Sequence, residues 1–177
     1  MNPCLVALPL LLLTGCTPLT SLPYFSRSDN ISARTPGVAI TQARPHQVAS
    51  FSFFSDTHFT ASHAEPCAHE LISVPEQEAG IVRYTGNDVL TTEGLLVVEK
   101  RELGLLPSRY RIRFQLAALG QSNGTSYGFS RIRVAREDAL GLDNHDFTAI
   151  APTGQTTRQV YRELQRLYQQ LDVCMAG

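Results

Sequence analysis

Four of the five histidines, His46, His58, His63 and His69, fall in one stretch with Cys67 among them. Imidazole and thiolate are good ligands for zinc or copper. The spacing of His58, His63, Cys67 and His69 matches no established ligand pattern. His69-Glu70-Leu71-Ile72-Ser73 opens like HExxH, but Ser73 stands where the second histidine belongs, so the pair that holds zinc on one helix face is absent. A polar loop accounts for these residues, and no metal ligand is assigned. Ser130, His145 and Asp146 have the residue types of a nucleophile, a base and its orienting acid. There is no G-x-S-x-G elbow, and Asp143-Asn144-His145-Asp146 reads equally well as a turn. No glycine loop that cradles phosphate is present, so no cofactor is expected.

The arginines offer a different chemistry. Arg109, Arg111 and Arg113 alternate along one predicted strand, and Arg131 and Arg133 lie on the strand expected to return beside it. Cross-strand neighbours sit about 5 Å apart, so the five form a cationic ridge if they share a face. Guanidinium groups grip phosphate and carboxylate bidentately. Like charges directly opposite one another cost stability, so acids intervene or the register separates them. Glu99, Glu102, Glu137 and Asp138 are at hand to balance the charge.

These side chains need a scaffold. Between 109 and 116, Tyr110, Ile112, Phe114 and Leu116 alternate with Arg109, Arg111, Arg113 and Gln115, the period of a strand with one apolar face. Gln121-Ser122-Asn123-Gly124 is a hairpin signal. On the returning strand, 125–136, apolar parity slips from Tyr127 and Phe129 to Ile132 and Val134, which predicts a bulge near Ser130. Further strands are expected at 37–41, 48–54, 70–74, 81–85 and 95–100. Val160, Leu164, Leu167, Leu171 and Cys174 recur every three or four residues and predict a helix over 156–173. Thr156 and Gln159 match a capping box at its start. Strands followed by one late helix give an α+β domain, an antiparallel sheet of about five to seven strands with a C-terminal helix packed on it.

The amino terminus carries the most specific signal. Leu5–Leu13 is an unbroken apolar run of nine residues. A membrane-spanning helix needs roughly 20, so the length fits a secretory signal instead. The run ends in Leu13-Thr14-Gly15-Cys16, which resembles the lipobox of bacterial lipoprotein precursors. That resemblance implies cleavage before Cys16, a diacylglycerol thioether on Cys16 and a further acyl chain on the new amino terminus. Each buried methylene contributes about 0.8 kcal/mol, and two or more chains anchor stably. Thr17, not Asp, follows the cysteine, which in this class points to the outer membrane facing the periplasm. Residues 1–15 are then a signal peptide. Residues 16–37, rich in Pro, Ser and Thr, are a lipidated tether with a span of roughly 25 Å. Residues 38–177 are one periplasmic domain.

Cleavage removes Cys4 and lipid occupies Cys16, leaving Cys67 and Cys174 in an oxidising compartment. The even count favours one intramolecular disulfide; an intermolecular bridge or two free thiols are the alternatives. Cys174 in line with the helix's buried stripe places it where a cysteine beneath that helix can reach it.

The chain has 177 residues, 43% hydrophobic and 18% charged, with a net charge of −1, which removes any global attraction to nucleic acid. The function expected is that of a non-enzymatic, lipid-anchored envelope accessory module. It contacts an envelope protein or an anionic lipid such as lipopolysaccharide through the sheet edge or the arginine face. The alternative is a small membrane-anchored hydrolase or metal-binding protein using the His58–His69 region.

Overall fold

The computed structural model describes residues 31–73, 82–102, 106–142 and 144–177. The expected signal peptide, Cys16 and the first part of the expected tether lie outside the described residues. Residues ahead of position 38 already join the fold: Ile31 is buried in the core, and Ser32 and Thr35 exchange hydrogen bonds that turn the chain into the first strand.

Among the described residues, seven strands form one antiparallel sheet: β1 (Val38–Ile40), β2 (Val48–Ser55), β3 (Val82–Thr85), β4 (Val89–Glu102), β5 (Leu106–Gln121), β6 (Gly124–Asp138) and β7 (His145–Ala149). Their order is β1-β2-β6-β5-β4-β3, with β7 also paired to β6. The helices α1 (Ala61–Leu71) and α2 (Gln155–Ala176) make this an α+β fold.

The long β6 carries two partners end to end along one edge. Its first half pairs with β2, from Ser55↔Thr125 to Ser50↔Ser130. Its second half pairs with β7, from Arg133↔Ala149 to Arg136↔His145. Val48 N–H donates to Ile150 O at 3.0 Å where the two meet. The changeover coincides with the expected bulge. Between Arg113↔Arg133 and Gln115↔Ser130, Phe114 faces two residues of β6, Arg131 and Ile132. Arg131 takes φ 52°, the positive region that L residues avoid. The extra residue shifts the parity, so Tyr127 and Phe129 before it, and Ile132 and Val134 after it, all point into the core. The β5–β6 turn is centred on Ser122-Asn123, with Gln121↔Gly124 closing it. Gly124 takes the positive φ (145°), and a Cβ there would lie 2.0 Å from Ser55 O, so glycine is needed one position after the turn rather than within it.

Both helices lie on the same side of the sheet. α2 buries Val160, Leu164, Leu167, Leu171 and Met175, and its Tyr161 and Tyr168 pack on β2. Tyr161 meets Phe51 edge-on at 5.1 Å, and Tyr168 stacks on Phe53 at 5.1 Å. α2 starts differently from the expectation. Gly154 (φ 121°) is the N-cap and no side chain caps it. Thr157, not Thr156, hydrogen-bonds backward, to Ala151 O at 2.7 Å. Gln159 is buried, with its Nε2 unpartnered.

α1 stands where the sequence suggests a polar loop and the start of a strand at 70–74. Ala64, Cys67, Ala68 and Leu71 recur at helical spacing, and the first three are buried. Small side chains let α1 lie close to the sheet. Ile72, just past its end, is 2% exposed, and at Gly94 of β4 an added Cβ would come 2.4 Å from Ile72 Cγ2 and 2.7 Å from Phe114 Cζ. Of the expected strand, Ser73 keeps a single bridge, to Leu95.

Candidate functional site

With both helices on one side, no helix among the described residues covers the other sheet face. Register decides what it carries. Even residues of β5, from Tyr110 to Ala118, are buried, so Arg109, Arg111, Arg113 and Gln115 point outward. From β6, Arg133 is the Cα partner of Arg113, and Ala135 that of Arg111. The bulge brings Arg131 to the same surface. All five arginines therefore share one face, as the ridge requires.

They are not equivalent. Arg109 Nη2 lies 3.1 Å from Glu99 Oε1 on β4, and Arg111 Nη2 lies 2.7 Å from Glu137 Oε1 on β6. These half-exposed pairs neutralise one end of the ridge and contribute little stability. At the other end, Arg113, Arg131 and Arg133 have no carboxylate within ion-pair distance among the described residues. They line a concavity of about 250 Å³ together with Phe147, Gln115 and Glu93.

Phe147 on β7 is the residue that the sequence reading missed. Its ring lies 5.3 Å from the Arg111 guanidinium carbon and 4.8 Å from that of Arg113. It reaches β5 across Ala135, which is on the open face by register and is fully buried. A larger residue at 135 would block that reach. The ring gives two guanidinium groups a common cation–π platform and holds Arg113 beside Arg133.

The other candidates separate. His63 is on α1, with Nδ1 3.5 Å from Met175 O, and His69 pairs with Glu65 across one helical turn at 3.8 Å. His58 precedes α1, and His46 Nδ1 lies 2.9 Å from Thr41 O. Among the described residues, no three His, Cys, Asp or Glu gather as a metal would require. Cys67 is bonded to Cys174, with Cα atoms 5.9 Å apart. Ser130 and His145 stand far apart on the sheet: His145 pairs with Arg136, six residues along β6 from Ser130, roughly 20 Å at strand rise. His145 Nδ1 meets the backbone O of Asp146, not a carboxylate.

One further polar cluster ties α2 to the sheet. Asp172 Oδ2 accepts from Ser55 Oγ (2.8 Å) and lies 3.2 Å from Thr57 Oγ1, while Oδ1 accepts from the buried Tyr127 hydroxyl at 3.1 Å. Burial first, then the Asp172 charge and hydrogen bond, push the Tyr127 phenol well above its usual range. Burial and the same carboxylate raise that of Tyr168, whose hydroxyl donates to Phe54 O at 2.9 Å.

Fold and site together define an α+β domain: an antiparallel sheet backed on one side by two disulfide-linked helices, with an arginine-rich face that no helix among the described residues covers. No family model matches the chain, and no curated protein matches its sequence. Among solved structures, it is similar to a DUF4468 family protein from Bacteroides ovatus. The TM-score is 0.50 at 9% identity, over 81% of this chain and 92% of that one. Likeness at that identity concerns the fold alone.

Proposed function

We propose that this protein is a lipid-anchored accessory module of the bacterial envelope, non-enzymatic, which contacts an anionic envelope partner through its open sheet face. The carrying observation is the asymmetry of the sheet. Both helices cover one face, while the other exposes a row of arginines and Val97, 48% exposed. A sheet face left uncovered, with guanidinium groups ordered on an aromatic platform, suits recognition of an acidic surface. Anchoring rests on Leu13-Thr14-Gly15-Cys16 and its resemblance to a lipobox, with Thr17 favouring the outer membrane and the periplasm. In this reading attachment is through acyl chains on Cys16; among the described residues no helix is long and apolar enough to cross a membrane.

Two measurements test it. Intact mass of the membrane-extracted protein should correspond to a chain beginning at Cys16 with acyl groups, and Cys16→Ser should leave the protein in the soluble fraction. A photo-crosslinking residue at Val97 should trap one dominant adduct in cells, and Arg111→Glu with Arg113→Glu should abolish it. A chain beginning at Met1 with a free thiol at Cys16 overturns the anchor; an adduct indifferent to the charge reversal overturns the docking face.

A further inference from the structure

We propose that the concavity at the β6 bulge, formed by Arg113, Arg131 and Arg133 beside Phe147, is a binding site for a phosphate group carried on a ligand. The inference rests on the reading of the open face as the contact surface and narrows it to one pocket and one chemistry.

Three observations point there. Arg113 and Arg133 are direct cross-strand partners, an arrangement in which like charges repel at about 5 Å. Arg131 occupies the bulge at φ 52°, where glycine would form the same bulge without the Cβ penalty of about 1 kcal/mol or more. Both unfavourable features fall in one concavity, and among the described residues none of the three arginines has a carboxylate partner there. On the same face, Arg109 and Arg111 are paired to acids. Neither cost is needed by the sheet. The repulsion is relieved if a multivalent anion sits between the guanidinium groups, since each fork then faces an oxygen rather than another cation, and the contact made by Arg131 offsets its backbone strain. Among the described residues Glu93 is the one acid lining the pocket. Counted over the described lining residues, three arginines and one glutamate leave a net charge of +2, which matches a dianionic phosphate monoester. Gln115 adds an amide donor, and Phe147 holds the Arg113 fork in place.

The arginine at the bulge gives the test its discrimination, because strain kept for binding is relieved when binding is given up. Arg131→Gly should raise the melting temperature of the folded domain while weakening phosphate binding. Binding is read by amide chemical shifts during titration with glucose 6-phosphate, and by co-sedimentation with phosphatidic acid vesicles against phosphatidylcholine vesicles. Arg133→Gln should weaken binding about tenfold, the effect of losing one charge-assisted hydrogen-bond pair. Glu93→Gln should strengthen it. Binding to both probes identifies a soluble phosphate as sufficient; binding to the phosphatidic acid vesicles alone identifies the lipid-borne group. Shifts at Phe147 and Arg133 insensitive to Arg131→Gly and Arg133→Gln, or no binding to either probe, overturn the site. If the Val97 adduct persists while phosphate binding is absent, this pocket fails and the docking face stands.

Discussion

Reduction of the Cys67–Cys174 disulfide is expected to lower the stability of the domain by about 4 kcal/mol. The bond closes a loop across a sequence separation of 107 residues, and in the chain-entropy model a closure of that length restricts the unfolded ensemble by nearly the maximum a single crosslink gives. The corresponding drop in melting temperature is about 10 °C for a domain of this size. The loss should be uneven. α1 has only eleven residues, contains Pro66, and buries small side chains, Ala64 and Ala68 beside Cys67. Little apolar area holds it down once its tie to α2 is gone. Hydrogen exchange under reducing conditions should therefore accelerate first in Ala61–Leu71, while β5 and β6 stay protected. A Cys67→Ser, Cys174→Ser variant should melt like the reduced wild type. Equal melting of the oxidised and fully alkylated proteins would falsify the claim that this bond supports the fold.

The same helix marks the limit of what the sequence disclosed. Where one residue type alternates with another over a long run, as from Arg109 to Leu116, a single pattern dictates both strand and face, and the bulge at Arg131 was readable as a break in that pattern. α2 was readable because its stripe consists of large aliphatic residues. The stripe of α1 has the right spacing, but it is built of alanine and cysteine, interrupted by proline and interleaved with histidine, so its apolar contrast is weak. β7 contributes five residues, mostly exposed, with one large apolar side chain. A strand that short shows no period of its own and forms because the second half of β6 offers an unpaired edge. Phe147 was consequently hidden, although it organises the arginine face. The cationic face itself was visible as composition. Its division into Arg109 and Arg111, which are ion-paired, and Arg113, Arg131 and Arg133, which have no ion pair among the described residues, was not, because that depends on which acids the register places alongside.

Asp172 extends this point to energetics and gives the second large effect. On a helical wheel it is an ordinary polar residue of α2, yet three hydroxyls from distant segments converge on it. Asp172→Ala is expected to destabilise the domain by about 3 kcal/mol, because hydrogen bonds to a charged acceptor are lost and the Tyr127 hydroxyl is stranded in the core. That second contribution is separable. In a Tyr127→Phe background no hydroxyl remains to strand, so the cost of Asp172→Ala should fall by at least 1 kcal/mol, a coupling that a double-mutant cycle in urea measures directly. Strict additivity would show that the contact contributes nothing. The alkaline limb of the stability curve reports on the same pair. Tyr127 has its folded-state value raised above the ordinary phenol value of about 10, so the native state keeps a proton that the unfolded chain releases. Stability is then fully present below that unfolded value and falls as pH rises beyond it, by up to about 1.4 kcal/mol per pH unit for this group. Tyr127→Phe should flatten that decline. The fold thus spends a buried phenol and a carboxylate on fixing α2 over β2 and β6, which keeps both helices on one face and leaves the arginine face open.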